Sequence, residues 1–153
     1  MATHFGEAFL SIDQRFKGPG SRFSKDFEQN KRQFGLNEMQ PDPMRLNMNV
    51  AASERYSPGR VLITNTDLEA CFKPVVERIM LFVETQLESV SQGYNLEISK
   101  IVLVGGLAES PYVQREMRSH FWRREIDVLV PDEPRLAVLR GAAFRGIHSR
   151  TSN

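Results

Sequence analysis

The second half of this chain predicts an α/β fold, a mostly parallel sheet flanked by helices. Three observations carry that reading. Two apolar runs, "IVLV" at Ile101–Val104 and "IDVLV" at Ile126–Val130, have the length and the near-continuous apolarity of strands buried on both faces. Stretches with helical spacing precede, separate and follow them, so the order from Asp67 onward is helix, strand, helix, strand, helix. The first run ends in Gly105-Gly106, two bare positions at the strand edge where such folds bind ligands.

Each element follows from local chemistry. From Gly6 to Phe16 the spacing of Phe9, Ile12 and Phe16 predicts a short helix, and "KGPG" at Lys17–Gly20 breaks it. "SRFSKDFEQNKRQFG" predicts an amphipathic helix with Phe23, Phe27 and Phe34 facing the core and Gly35 as its stop. "NEMQPDPM" reads as loop. "RLNMNVAA" alternates Leu46, Met48 and Val50 with polar neighbours and predicts a half-exposed strand. "SERYSPGR" reads as a turn and "VLIT" as a second strand, the two strands forming a small antiparallel sheet.

Thr66 with Glu69 predicts a capping box at the start of a long helix. Leu68, Phe72, Val75, Val76, Ile79, Phe82, Val83, Leu87 and Val90 form its apolar face, Pro74 should bend or restart it, and Cys71 is a small core filler within it. After the strand and the glycines, Ser110 and Pro111 suit the N-cap and first position of a helix whose inner face is Val113, Met117 and Phe121. "PDEP" is a turn. "RLAVLRGAAFRGI" is a closing helix that Gly141, Ala142 and Ala143 let press close to a sheet, and the last residues fray.

Composition narrows the function classes. The chain has 153 residues, 41% hydrophobic and 25% charged, enough for a real core. A net charge of +1 gives no general attraction to nucleic acid or to an anionic membrane. The C-terminal arginines, from Arg115 to Arg150, alternate with acids and read as solvated helix faces. Cys71 is the single cysteine, so no internal disulfide forms and a reducing, cytoplasmic setting is expected. No apolar run approaches the roughly 18 residues that span a bilayer. The first residues lack the basic flank and apolar centre of a signal peptide.

"GGLAESPYV" has neither the lysine of a Walker loop nor the spacing of a dinucleotide fingerprint. It is either a tight packing turn or a place where a polar or anionic ligand approaches backbone. His4, His120 and His148 are isolated in sequence, so no metal site is assigned, and no catalytic triad can be assembled. Asp132 and Glu133 either cap the last helix or receive a ligand's hydroxyls.

The run "ITNTDLEACFKPVVERIMLFVETQLESV", then "IVLVGGLAESPYVQREM", then "VPDEPRLAVLRGAA", resembles the C-terminal part of the actin-like ATPase domain of heat-shock protein 70 (DnaK-type) chaperones, a ribonuclease H-like fold. It is most similar to their divergent branch, common in fungi, which carries F-x-P-V in the long helix and GG-x-x-x-SPY after the strand. "FEQNKRQF" looks like the family's E-x-x-K helix, and "THFGEAF" like the segment after its second phosphate loop. The resemblance implies the second lobe of a two-lobed nucleotide-binding motor. Residues 6–66 would be a small α+β outer subdomain, 67–148 the inner α/β subdomain, and 149–153 a frayed tail.

It also implies contacts to ATP or ADP. Glu28 and Lys31 would flank the adenosine, Gly105 and Gly106 would lie under nucleoside and phosphates, and Asp132 would stand near the same pocket. Glu109 is expected at the same nucleotide site, but it takes the place of the arginine that stacks on the base; Leu107 likewise departs from the family's serine and Gly35 from a hydroxyl residue. The family's Asp-x-Gly hairpin, glycine-rich phosphate loop, lysine and metal carboxylates are not found, nor is a peptide-binding domain after residue 148. The expectation is therefore a partial Hsp70-like nucleotide-binding half-domain without independent hydrolysis, Mg²⁺ entering only with the missing lobe. The alternatives are an interaction module that has lost nucleotide and binds other proteins through the face the missing lobe leaves, or an incomplete gene model.

Overall fold

In a computed structural model, which describes residues 1–36 and 39–148, Asp13 divides the first helix that the phenylalanine spacing predicts. Helix α1 spans Ala2–Leu10 and leaves helical geometry at Gly6; helix α2 spans Gln14–Lys17. The Asp13 carboxylate accepts the Arg15 N–H at 2.9 Å and so caps α2. An aspartate stabilises a helix start better than a helix interior, which is why two helices replace one. Lys17 Nζ donates to the Phe9 and Leu10 carbonyls at 2.8 and 2.7 Å, closing the end of α1 with a cation.

Helix α3, Arg22–Gln33, starts at Ser21, whose hydroxyl accepts the Ser24 N–H, and ends before Gly35 at φ 90°. Phe23 is buried, and Phe27 and Phe34 pack against the same core. Strands β1 (Met44–Arg45), β2 (Tyr56–Ser57) and β3 (Arg60–Val61) form an antiparallel sheet in the order β1-β3-β2. Two expectations fail here. The strand predicted over "RLNMNVAA" is reduced to its first residue, Arg45, and the predicted turn "SERYSPGR" contains β2 and the first residue of β3. Tyr56 explains both. It is 3% exposed, its hydroxyl donates to the Met48 carbonyl at 3.0 Å, and it accepts the Met48 N–H at 2.9 Å. That stretch of backbone is satisfied by a side chain instead of a ladder. Met44, Leu46, Tyr56, Val61, Ile63 and Leu68 complete the core with Phe23.

The long helix α4, Asn65–Tyr94, runs through Pro74 without restarting and is capped elsewhere than predicted. Thr64 and Asp67 form the box: Thr64 N–H donates to Asp67 Oδ2 at 2.8 Å, and Asp67 N–H to Thr64 Oγ1 at 3.2 Å. Asp67 also pairs with Arg55 and meets His4 Nε2 at 3.1 Å. Burial pushes its carboxyl up, but the Thr64 and Arg55 contacts outweigh this and hold it well below its ordinary value of 3.8. Removing it in Asp67→Ala is expected to cost about 2–3 kcal/mol, a lost cap plus an ion pair. Because the folded pKa is lowered, the contribution is full above about pH 4 and is lost as pH falls toward the folded value. Urea unfolding of the wild type and Asp67→Asn at pH 3 and pH 7 should show their difference shrinking at the lower pH.

The contacts divide the chain into two units, Met1–Ala70, which holds everything up to the first turn of α4, and Cys71–Asn153. In the second, β4 (Lys100–Val102) and β5 (Asp127–Leu129) pair in parallel, Ile101 opposite Val128 and Val102 opposite Leu129. Helix α5, Pro111–Trp122, packs on β5 and buries Tyr112, Val113, Met117 and Phe121. His120 Nε2 meets Glu84 Oε1 at 2.9 Å, tying the end of α5 to α4.

The sheet was predicted to be covered on both faces. Val128 is 7% exposed, yet Val102, Val104 and Leu129 are 57%, 46% and 45% exposed, so one face is open among the described residues. The hydrogen bonds from Asp127 N–H to Ser99 and from Leu103 N–H to Leu129 turn the odd-numbered β4 backbone toward β5. The N–H and C=O of Val102 therefore point to the opposite edge, where no described residue pairs with them. The outer edge of β5 differs: Arg118 Nε donates to the Val128 carbonyl there at 3.3 Å. Helix α6, Ala137–His148, does not press onto a sheet as predicted. Val138 and Leu139 are exposed, and a Cβ at Gly141 would meet nothing within 4 Å. Cys71, predicted as a core filler, is exposed. The predicted frayed tail, 149–153, lies outside the described residues, as does part of the "NEMQPDPM" loop.

Candidate functional site

Beyond β4 the chain reaches Gly105, whose φ of 92° and ψ of 177° belong to a backbone region that side-chain-bearing residues scarcely enter. Its N–H donates to the Pro134 carbonyl at 2.7 Å, so the glycine turn is clamped to the "PDEP" loop. A 3₁₀ turn, Gly106–Glu109, follows and runs into Ser110, the N-cap of α5. Ala108 is buried, and its carbonyl accepts Gln114 Nε2 at 2.8 Å. The loop is thus held from below by α5 and from the side by Pro134.

Above the turn there is room. A Cβ built on Gly105 or on Gly106 would meet no atom within 4 Å. The glycines are therefore not there to let another part of the described chain approach; the positive φ of Gly105 calls for glycine in the turn itself, whereas Gly106 has neither reason. The rim is charged. Arg135 Nη1 stands 3.6 Å from Glu109 Oε2, Glu133 pairs with Arg140, and Asp132 is exposed with no ion pair among the described residues. Of the two acids in the turn, Glu133 serves the start of α6 and Asp132 is left over.

In the first unit, Lys31 Nζ lies 3.0 Å from Glu28 Oε1, an i,i+3 pair on α3, with the lysine 5.9 Å from the Phe27 ring centroid. The structure thus joins Glu28 with Lys31, and separately gathers Gly105, Gly106 and Glu109 beside the loop of Asp132. Gly35 ends α3 and Leu107 is 44% exposed. A cavity of about 270 Å³ beside α3 is lined by residues whose polar groups already serve each other, Asn30 with Asp42 and Asn65 with Gln40. Among the described residues no cluster of His, Cys, Asp and Glu suits a metal ion, and no helix is long and apolar enough to cross a membrane. Sequence reasoning missed Pro134 and Arg135. Their proximity to the glycines is a tertiary contact that no local pattern announces.

Comparison with known proteins identifies the family. The chain matches the family described as Hsp70 protein over residues 11–152. A Chaperone protein HscA homolog from Rickettsia rickettsii (strain Sheila Smith) is 32% identical over 92 residues, 60% of this chain and 14% of that protein. Chaperone protein DnaK from Picrophilus torridus is 32% identical over 84 residues, 55% of this chain and 13% of that protein. These matches span only a small part of the relatives' length, and no solved structure matches. A mixed helix and sheet architecture, a bare glycine turn at a strand end, and a family match over nearly the whole chain converge: this chain belongs to the Hsp70 family.

Proposed function

We propose that these 153 residues are a nucleotide-binding portion of an Hsp70-type, actin-like ATPase domain, its second lobe, and that they bind ATP or ADP without hydrolysing it unaided. The observation that carries this is the Gly105-Gly106 turn, clamped through Pro134 yet open above both glycines. Bare backbone at a rigid strand end lets a flat base or a phosphate come within contact distance. Within the first unit, the Glu28–Lys31 pair on α3 has the residue types and spacing of the family's E-x-x-K helix. The F-x-P-V and GG-x-x-x-SPY motifs support placement in the divergent, fungal-type branch.

Phosphoryl transfer is positioning plus charge neutralisation around Mg²⁺. The 153 residues contain no Asp-x-Gly hairpin and no glycine-rich loop with a lysine, so turnover would need those groups from elsewhere. The single, exposed Cys71 fits a reducing, cytoplasmic setting.

A second reading, a protein-interaction module without nucleotide, draws on the open face of β4 and β5 and on the unpaired edge at Val102. Calorimetric titration separates the two. The first reading expects saturable heat with ADP and ATP in the micromolar to millimolar range. No heat at millimolar nucleotide sinks it and leaves the module.

A further inference from the structure

We infer that Arg135 is the cationic contact this chain offers to a nucleotide at the Gly105-Gly106 turn, with Glu109 as its resting counter-ion. The inference rests on the nucleotide-binding reading and names the group that makes it work. A rim of Glu109, Asp132 and Glu133 would repel a phosphorylated ligand unless a cation balances it. Arg140 is committed to Glu133. Arg135 is placed differently. It follows Pro134, whose carbonyl is fixed to the Gly105 N–H at 2.7 Å, so its backbone has a set position relative to the glycines.

Its guanidinium stands 3.6 Å from Glu109, longer than an N–H···O hydrogen bond, and both side chains are partly exposed, 55% and 38%. Such a pair is weak and exchangeable. A planar guanidinium released from it can stack on a flat base or fork onto phosphate oxygens, and the missing glycine side chains leave it space to do so. Glu109 then competes with the ligand for the same cation, so the two residues have opposite effects on binding. A purely structural latch would make their effects alike.

The test titrates the full chain and its variants with ADP by calorimetry, with thermal unfolding of each variant as a check on folding. Arg135→Ala is expected to weaken ADP binding by about tenfold, the loss of one charge-assisted contact, and Arg135→Lys by less. Glu109→Gln is expected to tighten it about threefold, what release from an exposed ion pair yields. Equal weakening by Arg135→Ala and Glu109→Gln, or no change in Arg135→Ala, overturns the inference while leaving nucleotide binding intact. A wild-type chain that binds no ADP overturns the nucleotide reading itself, and the inference with it.

Discussion

Phe121→Ala is expected to lower the stability of the Cys71–Asn153 unit by about 3–5 kcal/mol, the cost of emptying a closed aromatic site. Phe121 is fully buried, as is Met117, and Val113, Tyr112 and Val128 are nearly so. Its backbone matters as well: its carbonyl accepts the N–H groups of Arg124 and Ile126, which turn the chain from α5 into β5. Few other side chains in this unit are buried to that degree, and α6 and one sheet face add little. Against a total stability of about 5–15 kcal/mol for an ordinary domain, the loss should leave much of the unit unfolded at 37 °C. Far-UV circular dichroism in urea follows the transition, because Trp122, the only tryptophan, is already 79% exposed in the folded protein. Val138→Ala, at a side chain 67% exposed, should change stability by less than about 0.5 kcal/mol. A Phe121→Ala loss under about 1 kcal/mol would mean that the α5–β5 core is not what holds this unit.

Gly106→Phe is expected to abolish nucleotide binding while leaving the fold intact. A Cβ at Gly106 would meet nothing within 4 Å, so the chain has room to begin a side chain there, and a phenyl ring would occupy the space over the turn. ADP affinity should fall more than about tenfold with an unchanged unfolding midpoint. Gly105→Ala makes the contrasting case. At φ 92° and ψ 177° any Cβ is strained, by about 1–3 kcal/mol, so this change should lower stability and disturb the hydrogen bond to Pro134. If Gly106→Phe instead unfolds the protein, the space above the turn is filled by structure, and the open-turn description is wrong.

What could be read from sequence was local. Ser110-Pro111 marks the start of α5 because both residues satisfy a helix terminus by themselves, and the structure begins the helix there. The paired apolar runs identify β4 and β5. "TNTDLE" carries two overlapping cap signals, Thr64 with Asp67 and Thr66 with Glu69. Only the tertiary arrival of Arg55 and His4 decides for Asp67. The hydroxyl of Tyr56, taking over the backbone of Met48, cannot be foreseen from alternation of apolar residues. Apolar patterning likewise states which surfaces seek cover, not where the cover comes from. Hence Val102, Val104 and Val138 follow the pattern of buried residues and stand exposed. At the candidate site the glycines were legible because bare positions at a strand end are rare and physically costly. The links from Gly105 to Pro134 and from Glu109 to Arg135 were not, since they join loops distant in sequence.

Nucleotide binding at the glycine turn can be followed residue by residue. An amide NMR spectrum of the full chain should be followed while ADP is added to several millimolar. Saturable shifts are expected at Gly105, Gly106, Leu107 and Arg135, with little change at exposed α6 positions such as Val138. Unmoved glycine resonances at saturating ADP would contradict binding at the turn.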